Sequence, residues 1–327
     1  MVTSSTRIIG NVRPEDEYTH PLGPEDNFNE SMYFNFFDRE RETGGFIRLG
    51  NRANEGYAEM TICLYLPDGS VLFNFKRPNI EDNEAFSAGG ATFEVIEPVE
   101  RLRTTYEGSV VHLTDPLEMA DPKVAFSDKN PKKRIRLDLV HEAAGPLYGH
   151  VSEKETENPE QEFAKAHYEQ HMHATGTLEI DGEVLTIDGF GLRDHSWGPR
   201  YWQALNYYRW LTCNFGADFG FMGSEVVQHD GTRRQGGVVV RDGVMHNVRG
   251  IEIETKFGDN DLYHESFTAT LTLENGEDLK VDGLVKSFIP LRNRREGRVT
   301  HIGEGMTEYR CGEHVGYGLS EYLDQVR

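Results

Sequence analysis

The strongest constraint on the fold is a rhythm of short β-rich runs punctuated by two-residue turn signals. Asp68-Gly69, Asp181-Gly182, Asp230-Gly231, Asp242-Gly243 and Asn275-Gly276 each sit between segments that alternate apolar and polar residues. Such pairs supply the positive φ angles that tight hairpins need. The segment GYAEMTICLYLPDGSVLFNFKRP, residues 56–78, predicts a hairpin about Pro67-Asp68-Gly69. Further strands are expected over 33–37, 45–49, 91–97, 101–107, 109–114 and 135–141. After residue 170 come HMHATGTLEI, EVLTIDGFGLRDHSW, YYRWLTCNFG and FGFMGSEVVQ, then GGVVVR and VMHNVRGIEIETKF, then the strands around Asn275-Gly276 and a last pair across Gly312-Glu313. So many consecutive hairpins exclude a helical or βαβ chain and favour closed antiparallel barrels, which leave no exposed edges.

At 327 residues the chain exceeds the ~100 to 200 residues of one domain. The stretch VSEKETENPEQEFAKAHYEQH is charged and poor in β-branched residues, and Asn158-Pro159 reads as a helix start. A short helix from Pro159 to Tyr168 is expected to mark the boundary between a domain over 1–150 and one over 151–327. The fold class expected is therefore all-β, with two barrel-like antiparallel domains in tandem.

The formal charge of −21, from 34 Lys and Arg against 55 Asp and Glu, disfavours nucleic acid and anionic membrane surfaces as partners. Cys63, Cys213 and Cys311 are widely spaced and odd in number, which fits a reducing cytoplasm. The chain has no apolar stretch near ~18 residues, so no membrane insertion is expected. Oligomeric state cannot be read from the composition. Nucleotide-binding glycine motifs and the GxSxG elbow are absent, and no cofactor is expected. His171 and His173, with His167 nearby, share a strand face and form the best candidate for a metal, although half-exposed polar positions explain them as well; no metal ligand is assigned.

Chemistry concentrates in RDHSWGPRYW, residues 193–202. In an extended strand His195 and Trp197 face one way, Asp194 and Ser196 the other. Arg193 and Arg200 read as rim or structural charges, partners of the many carboxylates. Tyr208 and Trp210 alternate again in the next strand, and Trp202 lies between. Polar-tipped aromatics beside His and Asp suit a pocket for a hydrophobic small molecule. Asn35 and Glu225 are further candidates for its polar lining.

The segment GTLEIDGEVLTIDGFGLRDHSWGPRYW resembles the lipocalin-like tandem-barrel superfamily of carotenoid 1,2-hydratases (hydroxyneurosporene synthases), AttH-type proteins and certain fungal Diels–Alderases. With MYFNFFDRERETGGFIRLGNRANEGYAEMTICLYLPDG and GYGLSEYL, the chain is most similar to bacterial members of unassigned function in that group. The resemblance implies acid–base chemistry on a carbon–carbon double bond by a His-x-Trp pair, matched by His195 and Trp197. It also implies a later Tyr-x-Asp pair, of which Asp218 stands for the acid, while Gly216 occupies the tyrosine position and Tyr208 is the substitute hydroxyl.

The function expected is a cofactor-independent lyase or isomerase, of hydratase or dehydratase type, for a terpenoid, steroid-like or aromatic alcohol or alkene. His195 would shuttle the proton, Asp194 or Asp218 would orient it, and Trp197 would face developing positive charge. Asp194 meets His195 only if a bulge intervenes, which makes Asp218 the easier partner. The alternatives are a non-catalytic carrier of a hydrophobic molecule and a cyclase that guides a pericyclic reaction.

Overall fold

A computed structural model describes residues 7–152 and 165–326. The chain divides into two compact units, one comprising residues up to Leu66, Leu72–His112 and Pro131–Tyr201, the other Pro67–Val71, Leu113–Asn130 and the chain from Trp202 onward.

The first sheet contains β1 (Ile8–Gly10), β2 (Phe28–Asp38), β3 (Thr43–Arg52), β4 (Tyr57–Tyr65), β5 (Val71–Lys76), β6 (Ser87–Ala88), β7 (Ala91–Glu97), β8 (Arg101–Leu113), β9 (Lys132–Ala143), β10 (Leu147–Val151), β11 (Ala166–Ile180) and β12 (Glu183–Pro199). Its strand order is β1-β10-β11-β12-β2-β3-β4-β5-β8-β7-β6, and β9 pairs with both β8 and β11. The path β8-β9-β11-β12-β2-β3-β4-β5 therefore returns to its start, and eight strands pair in a circuit. Inside it lies an apolar core that includes Met32, Phe34, Phe36, Ile47, Leu49, Leu137, Leu139, Met172 and Ala174.

The second sheet is a closed barrel in simple chain order: β13 (Leu205–Gly216), β14 (Phe219–Gln228), β15 (Arg233–Arg241), β16 (Val244–Phe257), β17 (His264–Leu273), β18 (Asp278–Arg295), β19 (Arg298–Cys311) and β20 (His314–Val326). Its core includes Leu211, Phe221, Val239, Ile251, Leu271, Val281 and Tyr309.

The hairpin signals act as read. Asp181-Gly182 and Asp242-Gly243 both hold positive φ at each position (51° and 94°; 50° and 73°), the double left-handed geometry of a type I′ turn. The same geometry recurs at Glu296-Gly297, which joins β18 to β19 and was missing from the expected turns. The strands expected over 101–107 and 109–114 are one continuous β8.

Two expectations need correction. Most of the helix expected from Pro159 to Tyr168 falls outside the described residues, and Ala166–Tyr168 open β11 instead. A boundary near residue 150 would place RDHSWGPR in the second domain. The motif belongs to the first unit, because β12 hydrogen-bonds along β2 from Phe190↔Phe37 to Pro199↔Phe28, and β11 pairs with β9. The described chain passes from one sheet to the other between Pro199 and Leu205. No described helix is long and apolar enough to cross a membrane.

Candidate acid–base site

Strand alternation sets the site. On β2, Glu30 continues the inward series Met32, Phe34, Phe36. On β12 the inward residues opposite are Trp197, His195 and Arg193, and on β11 they are Ala166, Tyr168 and Gln170. Three neighbouring strands thus deliver a carboxylate, an imidazole, a guanidinium and a phenol to one end of the first barrel's interior. The segment before β2 closes over them: Pro14 starts a short 3₁₀ turn that carries Asp16 and Glu17, and His20 follows.

His195 is fully buried between two partners. Its Nε2 lies 3.0 Å from Glu30 Oε1 and its Nδ1 2.8 Å from the Tyr168 hydroxyl. Glu30 Oε1 also meets His20 Nδ1 at 2.6 Å, while Oε2 accepts from the His20 backbone N–H at 2.8 Å and from the Asn83 amide. The His20 ring stacks on Trp197 with centroids 3.9 Å apart, and Phe86 meets His195 edge-on. Beside this chain, Arg193 donates to both oxygens of Glu17 and to Gln170 Oε1.

The electrostatics follow from this pairing. Burial alone would raise the pKa of Glu30, but hydrogen bonds from His195 and His20 outweigh it and bring the carboxyl down to about 2. Burial opposes charge on His20, yet the Glu30 carboxylate raises its pKa above the ordinary value. Burial and the Glu17 charge push the Tyr168 phenol well up, so it stays protonated. Glu17 is pulled down against its burial by Arg193. An ionised Glu30 requires a hydrogen on His195 Nε2, which leaves Nδ1 of a neutral ring to accept from Tyr168. The arrangement is a proton-competent chain, Tyr168–His195–Glu30–His20, whose outer member keeps 20% of its side chain exposed.

The remaining candidates lie elsewhere. Asp194 is on the opposite face of β12, paired with His167, whose pKa rises to about 9 because that carboxylate outweighs its burial. β12 carries no bulge at this point, so Asp194 does not reach His195. Asp218 is exposed on the β13–β14 turn of the second unit, and the carboxylate on His195 is Glu30. Tyr208, Trp202, Trp210 and Glu225 also belong to the second unit; Glu225 accepts from Tyr207 and Gln235. Asn35 faces away from the barrel core and accepts from the Leu192 N–H at 2.8 Å. Arg193 is a buried ion-pair partner, and Arg200 donates to Ser196 Oγ at 2.6 Å.

Among the described residues two groups have the donor chemistry of a metal site, His20/Glu30/His195 and His167/Glu169/Asp194, each with donor atoms within 4.8 Å of one another. In the first, both imidazoles already hydrogen-bond the same carboxylate oxygen. Neither group includes His171 or His173; His173 instead pairs with Asp188 at 2.6 Å.

Glu30, His20, Tyr168 and Glu17 escaped the sequence reading. Glu30 had a signal: in FNESMYFNFFD it is the lone carboxylate in the alternating series Phe28, Glu30, Met32, Phe34, Phe36.

Two β-barrels in one chain belong to a known architecture. The fold is similar to that of the AttH-like protein of Nitrosomonas europaea, at 14% identity and TM-score 0.59 over 100% of this chain and 99% of that one. It is also similar to CghA, at 11% identity and TM-score 0.55 over 95% and 94%. Kievitone hydratase from Nectria haematococca matches at 9% identity and TM-score 0.59 over 98% and 96%. The lipocalin-like tandem-barrel fold is thereby established. The chain belongs to the family described as a domain of unknown function, DUF7064, whose model matches residues 13–326. No curated protein sequence matches it.

Proposed function

We propose that the protein is an acid–base lyase or isomerase that needs no cofactor and acts by hydration, dehydration or a related elimination. Its substrate would be a hydrophobic terpenoid, steroid-like or aromatic alcohol or alkene. The observation that carries this reading is the buried hydrogen-bonded chain Tyr168–His195–Glu30–His20 beside Trp197.

Glu30 stays ionised and does not serve as the acid; it holds positive charge on His20. His20 Nε2, 3.4 Å from Asp16 and at the long limit of a hydrogen bond, is the ring nitrogen best placed to give a proton to a ligand. In dehydration the imidazolium proton passes to the departing hydroxyl, the C–O bond breaks and water leaves. The neutral imidazole then takes a proton from the adjacent carbon as the C=C bond forms. Trp197 offers a π face to the intervening cation, worth ~0.5 to 2 kcal/mol. His195 and Tyr168 fix the orientation and charge of Glu30 from behind. Kievitone hydratase, named for a hydration, and CghA, solved with Sch210972, are structural neighbours consistent with small-molecule chemistry on this fold.

The test is turnover of a hydrophobic metabolite extract in D₂O, followed by mass spectrometry. Product should exceed the amount of protein; it should carry solvent deuterium on carbon when formed by hydration and be lighter by one water when formed by dehydration, and His20→Gln should lower the rate by ~10²- to 10⁴-fold. Undiminished turnover by folded His20→Gln sinks the assignment. A second reading, a carrier or a cavity guiding a pericyclic reaction, is favoured by the way Glu30 and Arg193 are satisfied internally. It requires stoichiometric binding or cyclisation without deuterium incorporation.

A further inference from the structure

The opposite face of the same strands carries a second polar group that the acid–base chain does not use. Asn29 and Ser31 on β2 alternate with the inward Glu30 and Met32, and they lie opposite Gly198 and Ser196 on β12. Asn29 is 1% exposed, yet neither its amide nitrogen nor its amide oxygen has a hydrogen-bond partner among the described residues. Its cross-strand neighbour is a glycine, so no β12 side chain covers it. A dry amide with both ends unmet is costly and uncommon in a native fold.

The groups around it offer donors. Arg200 Nη2 donates to Ser196 Oγ at 2.6 Å, and Ser196 Oγ lies 3.2 Å from Ser31 Oγ, a pair in which either hydroxyl can donate. With Ser196 as the donor, the Ser31 hydroxyl hydrogen is available to a ligand acceptor. On β3, Gly50 is paired with Ser31, and an added Cβ there would come within 2.7 Å of Arg48 Nη2. A second guanidinium therefore lies over the strand position beside Ser31, where its other nitrogen is 3.5 Å from the buried Glu59 carboxylate of β4. Asp194, the nearest carboxylate along this face of β12, is engaged by His167.

We propose that Asn29, Ser31, Ser196 and Arg200, flanked by Arg48, form a binding site for a carboxylate borne by a small organic ligand. The planar carboxylate accepts from the Ser31 hydroxyl and the Asn29 amide beside the Arg200 guanidinium, while Arg48 shares its charge with Glu59. Burial strengthens each bond, because the acceptor that completes the site is itself removed from water. The site is independent of the acid–base reading: its side chains lie on the other face of β2 and β12, and its test needs no turnover.

Benzoate, with benzamide as the uncharged counterpart and inorganic phosphate as a second anion, is the probe. Benzoate at saturating concentration should raise the Tm of the full chain by about 2 °C or more, with no comparable shift from benzamide or phosphate. Asn29→Leu should abolish that shift while leaving the ligand-free Tm unchanged or higher, since it replaces an unsatisfied amide with an apolar group of similar size. Ser31→Ala, which removes one hydroxyl, should weaken benzoate binding about tenfold by calorimetry. The proposal is overturned if wild type gives no benzoate shift, if phosphate shifts it equally, if Ser31→Ala binds normally, or if Asn29→Leu lowers the ligand-free Tm.

Discussion

The two barrels place charge differently. At the inner end of the first, Glu17, Arg193, Glu30 and His195 retain 1% side-chain exposure or less. At one end of the second barrel's interior, Arg209 and Asp324 keep 14% and 18%, with the guanidinium 4.4 Å over the Tyr322 ring. Both pairs are hydrogen-bonded, yet their energetics should differ several-fold. A sealed charge whose partner is removed has no water to turn to, whereas a charge at the barrel mouth does. One hairpin architecture thus supports an interior whose sealed polar groups, His264, Ser320 and Thr307, stay neutral while the ion pair sits at a wet rim, or an interior that depends on complete ionic pairing.

The sharpest way to break this contrast is to remove one member of the sealed pair. Arg193→Ala should destabilise the first unit by about 3 to 5 kcal/mol in chemical denaturation, because it strands Glu17 in the interior. Replacing both residues with apolar ones of similar volume should recover much of that loss. If the single change costs no more than its counterpart in the second barrel, the distinction fails.

Glu30 gives the next effect. Its carboxyl titrates at about 2 against an ordinary 4.5, so its stabilisation is present above pH 4.5 and is lost as pH falls towards 2. Roughly 3 kcal/mol of acid sensitivity should disappear in Glu30→Gln, read as a flatter stability profile over that window. His20 has the opposite sign. Its pKa is raised through Glu30, so its contribution is complete below pH 6.5 and fades as pH rises past the raised value. His20→Gln should therefore lower the Tm more in mildly acidic than in alkaline buffer. The smallest change is expected for Asp324→Asn, at or below about 1 kcal/mol and shrinking with added salt.

Much of the fold was legible because its determinants are local. Asp181-Gly182 can hold two positive φ angles, and period-two alternation placed His195 and Trp197 on one face of β12 with Asp194 on the other. What was not legible depended on contacts distant in sequence. Nothing near RDHSWGPR announces that β12 pairs with β2, so the motif was assigned to the second domain and its carboxylate was sought in Asp194 and Asp218 rather than in Glu30, 165 residues upstream. His20 is harder still, because it lies in an irregular segment with no period to fix its direction. Glu30 itself is detectable as a charge in an apolar series, Phe28, Glu30, Met32, Phe34, Phe36.

The bond between Glu17 and Arg193 spans 176 residues of chain. During synthesis Glu17 leaves the ribosome long before its partner exists, so the segment over β2 cannot reach its final seat until β12 has been made and paired. Folding of the first unit is thereby tied to a late event with a large loop-closure cost, the kind of topology that folds slowly. The segment that carries Glu17 is made before β12 and settles after it.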